Sequence, residues 1–233
     1  SGDDDQELAV IRKARRKTSA MFAAEATECL PDGRWNIKDA PPFVYHCDAA
    51  TDRELGRFRK QLPQFLKDYA ASLPDDRRTL LSRYELQDVA VKVPGVGSVG
   101  RRCFIALFVA SGQHPLFLQF KEAADSVLEK PLGRSREEHD GERIVNGQRM
   151  MQAASDIFLG WAGSEAFGAE FYVRQLRDMK ASFDVAKFRE CDFIEYAEAC
   201  GYALARAHSR ADCPDELAGY VGRGGALSEA MQA

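Results

Sequence analysis

The sequence predicts an α+β fold, built on a mostly antiparallel five-stranded sheet with a packed helix and flanked by helices on both sides. Three observations lead there. Apolar residues alternate at period two from about Leu86 to Ala123, and two further strand-like segments lie between Ile157 and Leu176. A single helical segment, Arg134 to Ser155, separates the two groups of strands. Helical periodicity brackets the whole stretch on both sides. Strands grouped in this way favour a layered α+β sheet over a strictly alternating parallel one.

Taken in order, Glu7 to Leu30 is rich in Ala, Glu, Lys and Arg and reads as a helix, stopped by Pro31-Asp32-Gly33. Its basic run, Arg12 to Lys17, reads as a solvated face. Asp32 to Ala50 forms a linker or a short ribbon. Leu55, Phe58, Leu62, Phe65, Leu66 and Tyr69 then recur at helical spacing. Pro63 is expected to kink or divide this helix, because it has no amide hydrogen and its ring crowds the preceding turn. A short helix follows Pro74, with Asp75 or Asp76 near its start. Val89, Val91 and Val93 mark the first strand, Cys103 to Ala110 the second and Leu116 to Ala123 the third, the last two joined by the turn Ser111 to Pro115. After the helix come strands over Ile157 to Trp161 and Phe171 to Leu176. Phe188 to His208 is a long helix, with Ile194, Ala197, Gly201, Leu204 and His208 along one stripe. Small residues there suit close approach of another helix, and His208 reads as a packing residue. The order divides into a helical arm and linker over 1–84, a sheet-bearing lobe over 85–180, and the helical start of a second lobe over 181–233. A start at Ser1 and an end inside a helical pattern suggest a portion of something longer.

Composition narrows the function classes. The chain is 233 residues, 45% hydrophobic and 29% charged, with a net charge of −4. No apolar run approaches the ~18 residues of a membrane span, and no basic-then-apolar pattern with a small-residue cleavage site is read in these residues. An acidic balance disfavours nucleic acid as a partner, since phosphate-backbone binding rests on clustered Lys and Arg. Six cysteines without paired spacing point to reduced thiols and a cytoplasmic setting. The four histidines are too scattered for a metal site.

The segment Pro94-Gly95-Val96-Gly97-Ser98-Val99-Gly100 contains G-x-G-x-x-G. A dinucleotide fold would need a helix after the glycines and an acid ~20 residues on. Instead a strand follows, and the distant position offers Gln119 and Lys121. A P-loop would need a closing Gly-Lys-Ser/Thr, which is missing. A kinase-type turn fits better, because there the glycines join two antiparallel strands and the next strand supplies a lysine to the phosphates. Lys121 stands at that place, on one face with Phe117 and Gln119. Its expected partner is a carboxylate on the following helix, Glu142 first and Glu138 second, with Gln148 as a third candidate. Gln175 to Arg177, after the last strand, lie where such a fold presents backbone groups to a base. Arg102 and Gln119 depart from the pattern, which favours smaller residues at both positions. The alternative is a twisted hairpin with Lys121 in solvent.

The segments Val93 to Cys103, Pro115 to Ala123, Gly147 to Asp156 and Phe171 to Lys180, with the helix ending Leu204 to His208, closely resemble the C-terminal part of the bacterial domain of unknown function 2252. That family is in turn similar to the protein-kinase and aminoglycoside-phosphotransferase superfamily. The resemblance implies a Gly-Asp-x-His-x-x-Asn-Phe segment and an Asp-Phe-Asp-like segment upstream, akin to a catalytic loop and a metal-binding aspartate in permuted order. Neither occurs here. The two asparagines, Asn36 and Asn146, have other contexts. The expectation is therefore a nucleotide-facing region that binds ATP or another nucleotide with Mg²⁺. Gly95, Gly97, Ser98 and Gly100 would lie over the phosphates, Lys121 would bind them, Glu142 or Gln148 would support the lysine, and Gln175 and Arg177 would meet the base. Phosphotransfer would require the missing N-terminal part of the same protein. The rival expectation is a non-catalytic binding or scaffold module that keeps a kinase-like shell.

Overall fold

The computed structural model describes residues 19–46, 52–93, 95, 100–111, 114–176, 184–211, 214–222 and 225–232. Two compact units emerge, one comprising residues 1–145 and 156–183, the other residues 146–155 and 184–233.

The first unit opens with helix α1 (Ser19–Ala26), which runs into strand β1 (Thr27–Cys29); β2 (Trp35–Ile37) pairs with β1 as an antiparallel ribbon. The sequence suggested a helix as far as Leu30. It stops earlier because the Thr27 hydroxyl donates to the Ala23 carbonyl at 2.7 Å, and Thr27 then pairs with Ile37. A β-branched residue satisfied in this way leaves the helix at little cost. The expected residues 7–18 of that helix lie outside the described residues.

Helix α2 (Arg53–Ala71) starts at Asp52, whose carboxylate accepts the Leu55 amide at 3.0 Å. Pro63 sits inside it without dividing it. An interior proline costs about 3 kcal/mol. Leu55, Phe58, Leu62, Phe65 and Tyr69 are all buried on one face, and each such side chain contributes about 1.5–3 kcal/mol. Burial of that stripe outweighs the lost bond. Helix α3 (Asp75–Leu81) follows.

The main sheet has six strands rather than five: β3 (Val44–Tyr45), β4 (Tyr84–Lys92), β5 (Cys103–Ala110), β6 (His114–Glu122), β7 (Gly160–Ser164) and β8 (Ala169–Gln175), in the order β3-β4-β5-β6-β8-β7. Every adjacent pair is antiparallel. The additional strand comes from the segment read as linker. It is two residues long and matches Val44 to Lys92 and Tyr45 to Val91, too short to leave a periodic signature. Helices α4 (Glu129–Leu132) and α5 (Asp140–Met151) lie between β6 and β7.

Side-chain alternation sorts the sheet into two cores. Phe104, Ala106, Phe108, Leu116, Leu118, Phe120, Phe171 and Val173 face α2. There Phe58 stacks on Phe104 with ring centroids 5.2 Å apart. Ile105, Leu107 and Phe117 face the other way, against Ala23 of α1 and Ile37 of β2. Helix α2 also covers the outer edge of the sheet. Ser72 Oγ accepts the Trp161 amide at 2.9 Å, and Gln61 Oε1 accepts the Ala166 amide at 2.9 Å. Strand edges left open invite pairing with other chains.

The second unit contains helices α6 (Glu190–Ala211), α7 (Pro214–Val221) and α8 (Ala226–Gln232). The Arg210 guanidinium donates to the Met151 carbonyl at 3.3 Å, tying its two chain segments together. Ile194, Ala197, Gly201, Leu204 and His208 are all exposed. His208 is therefore a surface residue and not the packing histidine expected. No helix in the described part is long and apolar enough to cross a membrane.

Candidate functional site

Lys121 lies near the end of the central strand β6, where the register sets it between Cys103 of β5 and Tyr172 of β8. Residues opposite each other in antiparallel strands share a face, so these three side chains form one row. They line a cleft of about 270 Å³. Arg101 and Arg102, which follow the glycine-rich segment, with Glu122, Ala124 and Ile144 of α5, complete its walls.

Charge in the cleft is unevenly satisfied. Arg102 is held twice by Glu122, whose carboxylate takes the Arg102 amide at 2.9 Å and the guanidinium at 3.2 Å. The same guanidinium lies 4.8 Å from the Phe167 ring centre, a cation–π distance. Lys121 is half-buried and makes no hydrogen bond or ion pair among the described residues. The expected bridges from Lys121 to Glu142 or Glu138 are not formed there. Burial pushes the Cys103 thiol up, opposed by the Lys121 charge and a hydrogen bond from Gln119. Burial likewise raises Tyr172, against the pull of Arg174. Both groups stay neutral near pH 7 and so offer no negative charge to Lys121 or to Arg101, neither of which has an ion-pair partner among the described residues.

The other anticipated residues distribute as follows. Gly95 and Gly100 are exposed and take positive φ, 127° and 80°, a conformation that suits glycine. Gly97, Ser98 and Arg177 lie outside the described residues. Glu142 is half-buried in the first turn of α5, its amide donating to His139 Nδ1 at 3.3 Å. Glu138 is exposed. Gln148 is half-buried in the part of α5 that belongs to the second unit. Gln175 ends β8; its amide donates to Asp156, and the next amide, of Leu176, donates to the Phe117 carbonyl at 2.9 Å. The amides of Gln175 and Leu176, two of the backbone groups expected to meet a base, are thus used inside the fold. Gln119 is buried, with its side-chain amide 3.3 Å from Cys103 Sγ.

Cys103, Tyr172, Arg101 and Glu122 escaped the sequence reading. Only strand register brings Cys103 and Tyr172 beside Lys121, and register has no local signal. A second cluster was equally hidden. His46 Nδ1 lies 2.7 Å from Asp39 and Nε2 2.9 Å from Asp88. Asp88 stands at a register shift of β4 and also accepts the Ile37 amide at 2.8 Å. It fastens the ribbon and β3 to the sheet. The hydrogen bond to Asp88 raises the His46 pKa, with burial opposing and the charges of Asp88 and Asp39 adding. Burial pushes Asp88 up, but His46 and the Ile37 amide more than offset it, and its pKa lies below the ordinary carboxylate value.

The family described as uncharacterized protein conserved in bacteria (DUF2252) matches residues 3–233. No curated protein and no solved structure matches the chain.

Proposed function

From the chain's membership of the DUF2252 family of uncharacterised bacterial proteins, we propose that the Lys121 cleft binds the phosphate chain of a nucleotide, as the nucleotide-facing region of a kinase-like protein. One observation carries this reading. A half-buried ammonium without an ion-pair partner among the described residues shares a cleft with two arginines, only one of which is paired to a carboxylate there. Leaving a charge partly desolvated and unpaired is costly, and phosphate oxygens would satisfy it with charge-assisted bonds. Arg101 and Arg102, which follow the glycines in sequence, line the same cleft, in keeping with a kinase-type turn whose glycines would offer bare backbone to phosphates.

The fit is partial. The described residues form no magnesium cage: Glu122 is engaged by Arg102, and no group of three His, Cys, Asp or Glu side chains there is placed to hold an ion. Phosphoryl transfer further needs a base and a metal-binding carboxylate, which the family resemblance assigns to an upstream segment. The cleft's role in this chain is to bind and orient.

Isothermal titration of ATP, with and without Mg²⁺, tests the reading. Lys121→Ala removes one charged donor, about 1.5–3 kcal/mol, so binding weakens on the order of 10- to 100-fold. Equal affinity in wild type and variant refutes it. The scaffold reading draws on Arg102 and Gln119, which fill space the cradle would otherwise leave open; it expects no heat from either protein.

A further inference from the structure

We infer that the cleft recognises a phosphate chain without reading a base, so that its ligand class is polyphosphates and nucleoside polyphosphates alike. This inference rests on the phosphate-cradle reading and narrows it.

The argument comes from the rows of the sheet. In the cleft row, Cys103, Lys121 and Tyr172 stand side by side next to the glycine-bearing connection. A base attached to phosphates held there would extend along the same face, away from that connection and towards residue 176. The next row along that path is Ile105, Gln119 and Arg174. Ile105 is 2% exposed and Gln119 6%, and the Gln119 amide is spent on the Cys103 sulfur. The following row holds Leu107 and Phe117, 0% and 3% exposed. Helix α1 covers them: Phe22 meets the Phe117 ring edge-on at 5.0 Å, and Leu176 packs into the same cluster.

A base site that stands empty has accessible walls. Here the surface a purine would lie on is already interior at Ile105, Gln119, Leu107 and Phe117, closed by α1 and the ribbon, and Arg174 beside it is half-buried. The amides of Gln175 and Leu176, two of the backbone groups expected to meet a base, donate to Asp156 and to Phe117. The cleft volume of about 270 Å³ falls just below the range of about 300–1,000 Å³ for pockets that enclose whole small molecules. Lys121 and Arg101 remain in the cleft, beside an Arg102 already held by Glu122, and cationic side chains recognise phosphate oxygens.

The test is a calorimetric series on the 233-residue chain with tripolyphosphate, pyrophosphate, ATP, GTP and adenosine, each with and without Mg²⁺, repeated on Lys121→Ala. Tripolyphosphate, ATP and GTP are expected to bind within about threefold of one another, adenosine not at all, and Lys121→Ala to weaken all three together. ATP binding tenfold or more tighter than both GTP and tripolyphosphate overturns the inference and leaves the cradle standing. If none of the phosphate compounds binds, or Lys121→Ala binds them unchanged, the cradle itself fails and the inference with it.

Discussion

Replacing His46 by Ala should cost stability in a way that depends on pH, and the sign follows from the cluster it occupies. Both ring nitrogens face carboxylates, Asp39 at 2.7 Å and Asp88 at 2.9 Å, an arrangement that favours the imidazolium. A hydrogen bond to a charged group contributes about 1.5–3 kcal/mol. The Asp39 side chain is 54% exposed, so solvent screening reduces its share to below about 1 kcal/mol; the Asp88 side chain is 17% exposed and keeps most of its share. The variant should therefore lose about 2–3 kcal/mol near pH 5.5. With the folded His46 pKa raised, its contribution is full below the unfolded value of about 6.5 and fades as pH rises through the folded pKa. The Asp88 contribution behaves oppositely: it holds above the unfolded value of about 3.9 and is lost as pH falls through a lower folded pKa. The cluster is strongest between those limits. Both tryptophans, Trp35 and Trp161, lie in the first unit, so their fluorescence in urea reports its unfolding. With a slope of about 1–3 kcal/mol/M, the midpoint should fall by roughly 1 M near pH 5.5 and by much less near pH 8.5. A midpoint difference that is the same at both values would show that His46 acts only by packing.

Further expectations concern the frame around the cleft. Tyr69 is fully buried and its hydroxyl donates to the Phe158 carbonyl at 2.6 Å; Tyr69→Phe should cost about 1–3 kcal/mol, read in the same urea titration. Two glycines of α5 should respond with opposite signs in thermal melts. A Cβ at Gly141 would meet the Phe171 carbonyl oxygen at 2.5 Å and His139 at 2.8 Å, so Gly141→Ala should destabilise by about 1–3 kcal/mol. At Gly147 nothing lies within 4 Å, and Gly147→Ala should stabilise the helix by up to about 1 kcal/mol. Equal shifts for the two would contradict the packing described at Gly141.

Much of the sheet was legible. The strand Cys103–Ala110 is an uninterrupted apolar run between polar neighbours, and the alternation Leu116, Leu118, Phe120 against Phe117, Gln119, Lys121 sorts in the structure as its period requires. The long α2 was legible too, with its apolar stripe; of the two expected effects of Pro63, division does not occur, because burial of the stripe outweighs the lost bond. Val44–Tyr45 and the ribbon were not legible, since two or three residues carry no period and their pairing is decided by partners far along the chain. The site shows the same division. Lys121 and the glycines are marked by local pattern, whereas Cys103 and Tyr172 reach the cleft through register. The closure of the base path by α1 is more distant still: it follows from the burial of Phe22 and Ala23 against strands that the N-terminal sequence says nothing about.

That closure also has a history in time. Phe22 and Phe117 touch, yet they are 95 positions apart in the chain. A ribosome adding about 5–20 residues per second finishes α1 roughly 5–20 seconds before the strand it covers exists. During that interval Phe22 and Ala23 have no sheet to bury them, and once β5 and β6 pair, Ile105, Leu107 and Phe117 in turn depend on a segment made long before. A chain beginning after Ala26 would carry that apolar face covered by the ribbon alone for its whole life, with Phe117 exposed in the kind of patch through which proteins associate.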